Sequence, residues 1–372
     1  MEKYRFAAPC LMGTEKLLSN ELKFMGAENV KAENGRVFFE GNAYMLARAN
    51  ICSRIAERIL LLTARFEATD FDSLFESVKA VRWSDYLPYD AKFPVSGSCL
   101  SSKLMSVPDC QAIIKKAVVE SMKKDFKADV FPESGNEYKI KFLILKDTVS
   151  IMLDTSGRPL HKRGYRAVSN DAPIKETLAA ALCELSGVRR NHIVIDPFCG
   201  SGTILIEAAM KALNIAPNLN GTFAAESWSF IPDQVWETER KKAESEIRHD
   251  AAFKAFGYDI DDSALEISKE NAKLAGVSDY ITFAHRDIAD FKEDFEYATV
   301  ICNPPYGERL LDISQAEEIF RIMGKVFPKQ KGWKYTIICP DDDFQKCFGR
   351  TADKRRKLYN GTLSCQAYIY NR

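Results

Sequence analysis

The apolar run Val300-Ile301-Cys302 breaks at Asn303-Pro304-Pro305-Tyr306-Gly307. Prolines end strands and push the preceding residue into an extended conformation. A strand is therefore expected to carry an amide, two rigid prolines and an aromatic ring to its C-terminal end. That places a hydrogen-bond acceptor beside a flat stacking face. A second cluster lies upstream. His192-Ile193-Val194-Ile195 reads as a strand that runs into Asp196-Pro197-Phe198-Cys199-Gly200-Ser201-Gly202-Thr203 and then a helix. Strand, glycine turn, helix is the nucleotide-binding opening of a doubly wound sheet. Gly200 and Gly202 fill the first two positions of G-x-G-x-x-G, and Leu205 occupies the third.

Two further acids follow at strand ends. Ala255 to Tyr258 ends in Asp259, where a carboxylate can accept from a ribose diol. The gap from Asp196 greatly exceeds the roughly 20 residues of a compact dinucleotide unit, which implies an insertion over about 214–252. Tyr280 to Ala284 ends near Asp287, where a carboxylate can accept from an adenine amine. A lone Asp after a strand is more often a cap or turn residue, and Asp261 and Asp262 read that way. The weight rests on three strand ends in order, followed by a fourth ending in Asn-Pro-Pro-Tyr. Cys302 or Cys199 as a nucleophile on a pyrimidine ring is the rival chemistry. Neither sits in a Pro-Cys or Thr-Cys loop, so both read as buried structural thiols.

These residues need elements to hold them. From about residue 170 the chain alternates helix and strand, at 173–186, 193–196, 203–213, 254–258, 262–275, 280–284, 298–302, 315–327 and 333–339. Such alternation predicts a parallel sheet with helices on both faces. The end differs: Lys357 to Tyr359 and Leu363 to Tyr370 read as strands around Asn360-Gly361, a strong turn signal. Upstream, the first 55 or so residues form one small α+β pattern, with a strand at Arg5 to Ala8, a helix over Gly13 to Met25 and a strand at Arg36 to Phe39. Residues of about 66–153 form another, with helices at Asp72 to Val81 and Pro108 to Phe126. Its strands are Phe93 to Cys99, Tyr138 to Leu145 and Thr148 to Asp154.

Composition narrows the class. The 372 residues hold 52 Lys+Arg and 52 Asp+Glu, a formal net charge of zero. That excludes a bulk polybasic binder but not a local basic face. No apolar run approaches the ~18–20 residues of a membrane span, and the N-terminus lacks the apolar core of a signal peptide. Ten cysteines without a C-x-x-C pair and four histidines argue against a zinc site or disulfide framework and for reduced thiols in a cytoplasm. No heptad or interface stripe marks an oligomeric state.

Together, DPFCGSGT, GYDIDD with the following SKENAKLAGV, RDIAD and NPPYGERL resemble a class I S-adenosylmethionine-dependent methyltransferase over roughly residues 160–372. The resemblance implies an α/β fold: a Rossmann-like domain with a seven-stranded, mostly parallel sheet. It implies S-adenosylmethionine as cofactor, with Asp196, Phe198, Gly200, Gly202 and Thr203 along its methionine part. Asp259 and Ile260 would lie at the ribose, and Asp287 and Ile288 at the adenine. The segment Asn170 to Thr177 looks like the family's N-terminal cofactor motif, which would bring Lys175, Glu176 and Thr177 near the cofactor.

N/D-P-P-Y/F is similar to the motif of enzymes that methylate exocyclic amines of bases. This implies catalytic roles for Asn303, Pro304 and Tyr306, with Asn303 also near the cofactor. An aniline-like amine is a poor nucleophile because its lone pair is delocalised. The Asn303 oxygen and Pro304 carbonyl can each accept one amine hydrogen and aim the lone pair at the methyl group. Tyr306 would offer a stacking face for the flipped base.

The continuation NPPYGER resembles enzymes of guanine N2 in RNA. FPVSGSCLSSKLMSVPDCQAIIKKAVVESM and IKFLILKDTVSIMLDTSG resemble a THUMP domain, an RNA-binding module. The junction LHKRGYR-x4-DAPIKETLAAAL is similar to ribosomal and transfer RNA guanine-N2 methyltransferases. These resemblances imply three domains: residues 1–55 ferredoxin-like α+β, 56–155 THUMP and 160–372 methyltransferase. With one methyltransferase half, a single reaction is expected, most readily on 23S ribosomal RNA, with transfer RNA second. A catalytically inactive RNA-binding scaffold is the alternative of another class, and a DNA adenine-N6 methylase is less favoured. Three basic clusters are expected to contact phosphate. They are Lys115, Lys116 and Lys123 (with Lys124 and Lys127) on one helix, His161, Lys162, Arg163 and Arg166 at the joint, and Arg355 and Arg356 (between Lys354 and Lys357) before the last strands. Arg309, beside the amine motif, joins them. No metal and no membrane partner is expected.

Overall fold

The computed structural model describes residues 3–166, 174–306, 313–340 and 343–371. The N-terminal half runs β1 (Tyr4–Pro9), α1 (Glu15–Phe24), β2 (Glu28–Glu33), β3 (Arg36–Gly41), α2 (Ala43–Cys52), β4 (Leu60–Glu67), α3 (Phe71–Lys79), β5 (Val95–Leu100), α4 (Val107–Phe126), β6 (Ile140–Leu145) and β7 (Thr148–Asp154). Local chemistry explains the boundaries. Asn42, Asp70 and Ser106 cap α2, α3 and α4 through side-chain oxygens. Lys146 and Asp147, both at positive φ, make the tight turn between β6 and β7.

The two α+β units share one sheet of order β2-β3-β1-β4-β7-β6-β5. β4 hydrogen-bonds β1 on one side and β7 on the other, so no break in the backbone ladder separates them. β2 has the polar sequence ENVKAE and lies almost wholly in solvent at the edge. It carries too little apolar character to mark a strand in the sequence.

The second half runs α5 (Glu176–Leu185), β8 (Ile193–Asp196), α6 (Thr203–Ala212), α7 (Gln234–Ser245), β9 (Lys254–Asp259), α8 (Asp262–Leu274), β10 (Ile281–His285), β11 (Ala298–Cys302), α9 (Ile313–Val326), β12 (Trp333–Cys339), α10 (Phe344–Phe348), β13 (Lys354–Asn360) and β14 (Leu363–Tyr370). Its sheet has the order β10-β9-β8-β11-β12-β14-β13. The first five strands are parallel, and the last two pair antiparallel. The chain moves outward from β8 to β10 and then restarts at β11 on the other side. The strand order therefore reverses between β8 and β11, the place where doubly wound sheets bind ligands.

The insertion between α6 and β9 does not belong to the second half's core. Its Trp228 stacks on Tyr138 at 5.2 Å, and the indole N–H donates to Glu137 O. Phe230 meets Tyr4 and Tyr86 edge-on or tilted. α7 lies on α2, where Arg48 grips Glu239 through two 2.7 Å hydrogen bonds. Trp228, Ile231 and Trp236 are buried in the same core as Phe6 and Ile140. The insertion thus clamps the halves together. Among the described residues, no helix is long and apolar enough to cross a membrane.

Candidate active site

The C-terminal ends of β8 and β11 flank the switch point and carry Asp196 and Asn303. Asp196 is buried, and its Oδ1 accepts from the Phe198 N–H at 3.0 Å. Burial, reinforced by Asp259 nearby, pushes its carboxyl up to about 8. The glycine loop is pinned at several points. Cys199 N–H donates to Tyr258 O, and the amide of Asn271 on α8 donates to Ser201 O at 3.0 Å. Gly200 and Gly202 both take left-handed conformations, with φ of +49° and +77°. A Cβ on Gly202 would stand 3.0 Å from Ser268 Cβ and 3.2 Å from the Phe283 ring, whereas one on Gly200 would meet nothing within 4 Å. Gly202 is thus closed in by packing, while Gly200 leaves bare backbone beside the cleft. Leu205 at the third motif position is buried against β9, where the absence of a side chain on Gly257 makes room for it. The glycine that permits close helix–strand contact has moved to the strand.

Asp259 Oδ2 accepts from Gly200 N–H at 2.9 Å, so the acid and the open glycine are neighbours. Ile260 beside it is 65% exposed, an apolar surface next to carboxylates that a flat base would cover. Asp287 caps a short turn through Ala289 N–H. Ile288 packs its side chain in the core with Ile195 and Tyr258. Thr203 is buried and accepts from Arg166 at 2.6 Å, so it anchors the joint and is not presented to the cleft.

Asn303 Oδ1 is buried with no hydrogen-bond partner among the described residues. Pro304 beside it is buried. Tyr306 is only 9% exposed, and its hydroxyl accepts from the Asn360 amide at 3.1 Å. The free stacking face expected of Tyr306 is therefore corrected: the ring holds the loop against the terminal hairpin. Asn360, read from sequence only as a turn residue, is thereby part of the site's frame. Cys302 and Cys199 are buried, and burial drives both thiols well above their ordinary range, which fits structural thiols.

The joint behaves as a lock. Glu57 accepts from Thr177 at 2.5 Å, pairs with His161 at 2.9 Å and has Lys175 3.5 Å away. Burial alone would raise the Glu57 carboxyl, but these bonds and charges bring it down to about 2. The Arg163 side chain is 1% exposed, lies 3.5 Å from buried Glu207 and donates to Arg54 O at 2.6 Å. Tyr165 donates to the same Glu207. Arg166 donates to Ile174 O and faces Glu176 at 3.6 Å. Burial raises the Glu176 carboxyl against the pull of Arg166. Arg163 and Arg166 are thus corrected from phosphate contacts to interior struts. His161 is held by Glu57, and of this cluster only Lys162 is exposed. Lys175, Glu176 and Thr177 tie the catalytic half to Glu57 and Arg166, and the Lys175 side chain stays 40% exposed.

On α4, Lys115 bonds Glu133 and Phe93 O, and Lys123 pairs with Glu120; Lys116, Lys124 and Lys127 stay exposed. Lys354 to Lys357 do not precede the terminal strands. They form the first half of β13, the edge strand, and all four are exposed. Exposed charge there also protects the edge from pairing. Arg309 and residues 170–173 lie outside the described residues.

A glycine-turn strand, acids on the next two strand ends and a free acceptor across the switch point define a class I methyltransferase. The cleft fits its cofactor: bare backbone at Gly200 and an exposed apolar face at Ile260 lie beside Asp196 and Asp259. The comparisons are specific. The RMKL-like methyltransferase domain family matches residues 163–369, the RlmL ferredoxin-like domain matches residues 5–60 and the THUMP domain matches residues 68–154. The chain belongs to the RMKL-like methyltransferase family, with S-adenosylmethionine as its cofactor. It is 43% identical over its whole length, and over 96% of the relative, to the "Putative RNA methyltransferase YpsC" of Bacillus subtilis. It is 35% identical over 96% of its length to the "Ribosomal RNA large subunit methyltransferase K/L" of Psychromonas ingrahamii, of which it spans 49%. The crystal structure titled "SMU.472, a putative methyltransferase complexed with SAH" superposes with a TM-score of 0.94 at 39% identity, covering 100% of this chain and 98% of that one.

Proposed function

We propose that the protein methylates the exocyclic N2 amine of a guanosine in RNA, with 23S ribosomal RNA as the substrate and the cytoplasm as its place of work. The observation that carries this reading is the Asn303 Oδ1 at the switch point, buried and without a partner among the described residues. A buried acceptor without a donor costs about 1–3 kcal/mol, and an incoming amine would relieve it. S-adenosylmethionine supplies the methyl group as a sulfonium when bound. Asn303 Oδ1 and the Pro304 carbonyl hold the two amine hydrogens, which keeps the nitrogen pyramidal with its lone pair aimed along the line of transfer. The N–C bond forms as the S–C bond breaks, and the cationic nitrogen then loses a proton to water, so no strong base is needed. Asp259 holds the ribose and Asp287 the adenine amine, with Ile260 as the apolar face beneath. Residues 1–155 serve as the RNA-binding half and 160–372 as the catalytic half. Phosphate contacts fall to the exposed cations Lys116, Lys124, Lys127, Lys162, Arg355 and Arg356, together with Arg309 beside the amine motif. The THUMP match and the two named relatives support RNA over DNA.

The test is nucleoside mass analysis of ribosomal and transfer RNA, separated, from cells with and without the gene. Loss of one N2-methylguanosine from large-subunit RNA is expected. Loss from transfer RNA would keep the chemistry and move the substrate. An unchanged nucleoside profile in both would overturn the proposal in favour of an inactive scaffold or a DNA enzyme.

A further inference from the structure

A second cleft lies toward the N-terminal end of β8, at the opposite end of that strand from Asp196. It occupies about 1060 Å³ between α1 and α2 of the N-terminal half and the segments before β8 and after α6. Its acids are largely engaged. Glu239 is held by Arg48, Glu184 by Lys211, and Glu21 by Ser53 and the Arg54 N–H; Glu246 stays open. Its cations are not engaged to the same degree. Arg189, Lys242 and Arg248 are exposed and have no partner among the described residues. Arg54 is 9% exposed; its Nη2 donates to Ile215 O at 2.7 Å, while Nη1 is buried with no partner among the described residues. Glu21 is the neighbouring carboxylate for the Arg54 charge, and the idle N–H leaves room for one further acceptor. At the rim, Phe24 is 93% exposed, an aromatic face that the fold does not use.

We propose that this cleft is a second RNA contact, in which a single strand sets a backbone phosphate against Arg54, Arg189 and Arg248 and stacks a base on Phe24. The inference rests on the RNA reading of the function. Cations that follow the backbone beside an aromatic stacking face are the features that bind single strands without reading their sequence. The cleft's position at the seam of the two halves would fix the RNA relative to both.

The test uses the full chain and a twelve-nucleotide single-stranded RNA, titrated at several salt concentrations, with S-adenosylmethionine binding as the check on folding. Arg189→Glu with Arg248→Glu should weaken RNA binding about tenfold at low salt and reduce the slope of log affinity against log salt by about 1.4, or about 0.7 per contact. Cofactor affinity should not change. Phe24→Ala should weaken binding without altering that slope, because stacking releases no counterion. Unchanged RNA affinity and slope in the charge-reversed protein would overturn the inference while leaving the RNA reading intact. Inorganic phosphate that stabilises the wild type but not the variant, with RNA binding untouched, would identify a free-phosphate site and also overturn it. A wild-type chain that binds cofactor but no RNA would sink the functional reading first, and the inference with it.

Discussion

Asn303→Ala separates catalytic strain from structural support. In the free protein the Asn303 oxygen is a buried acceptor without a donor among the described residues. Deleting it removes a penalty of about 1–3 kcal/mol and forfeits packing of roughly 1 kcal/mol. The variant should therefore be as stable as the wild type, or more stable by up to about 2 kcal/mol, which raises the midpoint by about 2–4 °C per kcal/mol for a domain of this size. Turnover should move the other way. Removing one preorganised hydrogen-bonding group of this kind costs about 10²–10³ in kcat. The assay pairs thermal unfolding of the cofactor-free protein with single-turnover methyl transfer to RNA at saturating cofactor. Calorimetry checks that cofactor affinity stays within a few-fold. A variant that is clearly destabilised, or that transfers methyl at the wild-type rate, would refute the argument that Asn303 is held unsatisfied for the amine.

Asp259→Ala should weaken cofactor binding by tenfold or more, since charge-assisted hydrogen bonds contribute about 1.5–3 kcal/mol each; unchanged calorimetric affinity would mean that the ribose lies elsewhere. Asp196 supplies a pH dependence. Its carboxyl, raised to about 8 in the fold, holds a proton that the unfolded chain releases, so it lowers stability progressively as pH rises from about 4 to 8. Urea unfolding at pH 5 and pH 8 should show a smaller drop for cofactor-free Asp196→Asn than for wild type, and an identical drop would count against the assignment. Arg163→Met should cost about 3–5 kcal/mol, because it leaves the buried Glu207 with Tyr165 as its remaining partner among the described residues. The salt slope of RNA binding should be untouched in that variant, whereas a reduced slope would restore Arg163 as a phosphate contact.

The lock at the joint gives the domains a defined relation. Glu57, from the N-terminal half, is gripped by His161 and Thr177. Arg54 reaches Met210 in the last turn of α6 and Ile215 just beyond it, and Trp228 returns from the insertion to Tyr138. These contacts are buried or half-buried and come from segments far apart in sequence. These contacts set the N-terminal half against the sheet that carries the switch point.

By itself, the sequence determined the strands that carry the chemistry. The runs 193–196, 298–302 and 333–339 are observed with those bounds, because apolar stretches cut by Asp-Pro and Asn-Pro-Pro encode their limits within a few residues. The acids at the strand ends, the glycine turn and the Asn360-Gly361 hairpin were legible for the same local reason. Only the tertiary structure decided what the basic and aromatic residues do. Arg163 and Arg166 look like surface cations until Glu207 and Glu176 are seen facing them. Tyr306 looks like an open platform until Asn360, 54 positions on, takes its hydroxyl. The same holds for the insertion, whose tryptophans pack on a half that precedes it by about a hundred residues. A side chain's backbone conformation is set by its neighbours in the chain, but its partner is set by what the fold brings alongside, and long-range pairing leaves no periodic trace in a single sequence.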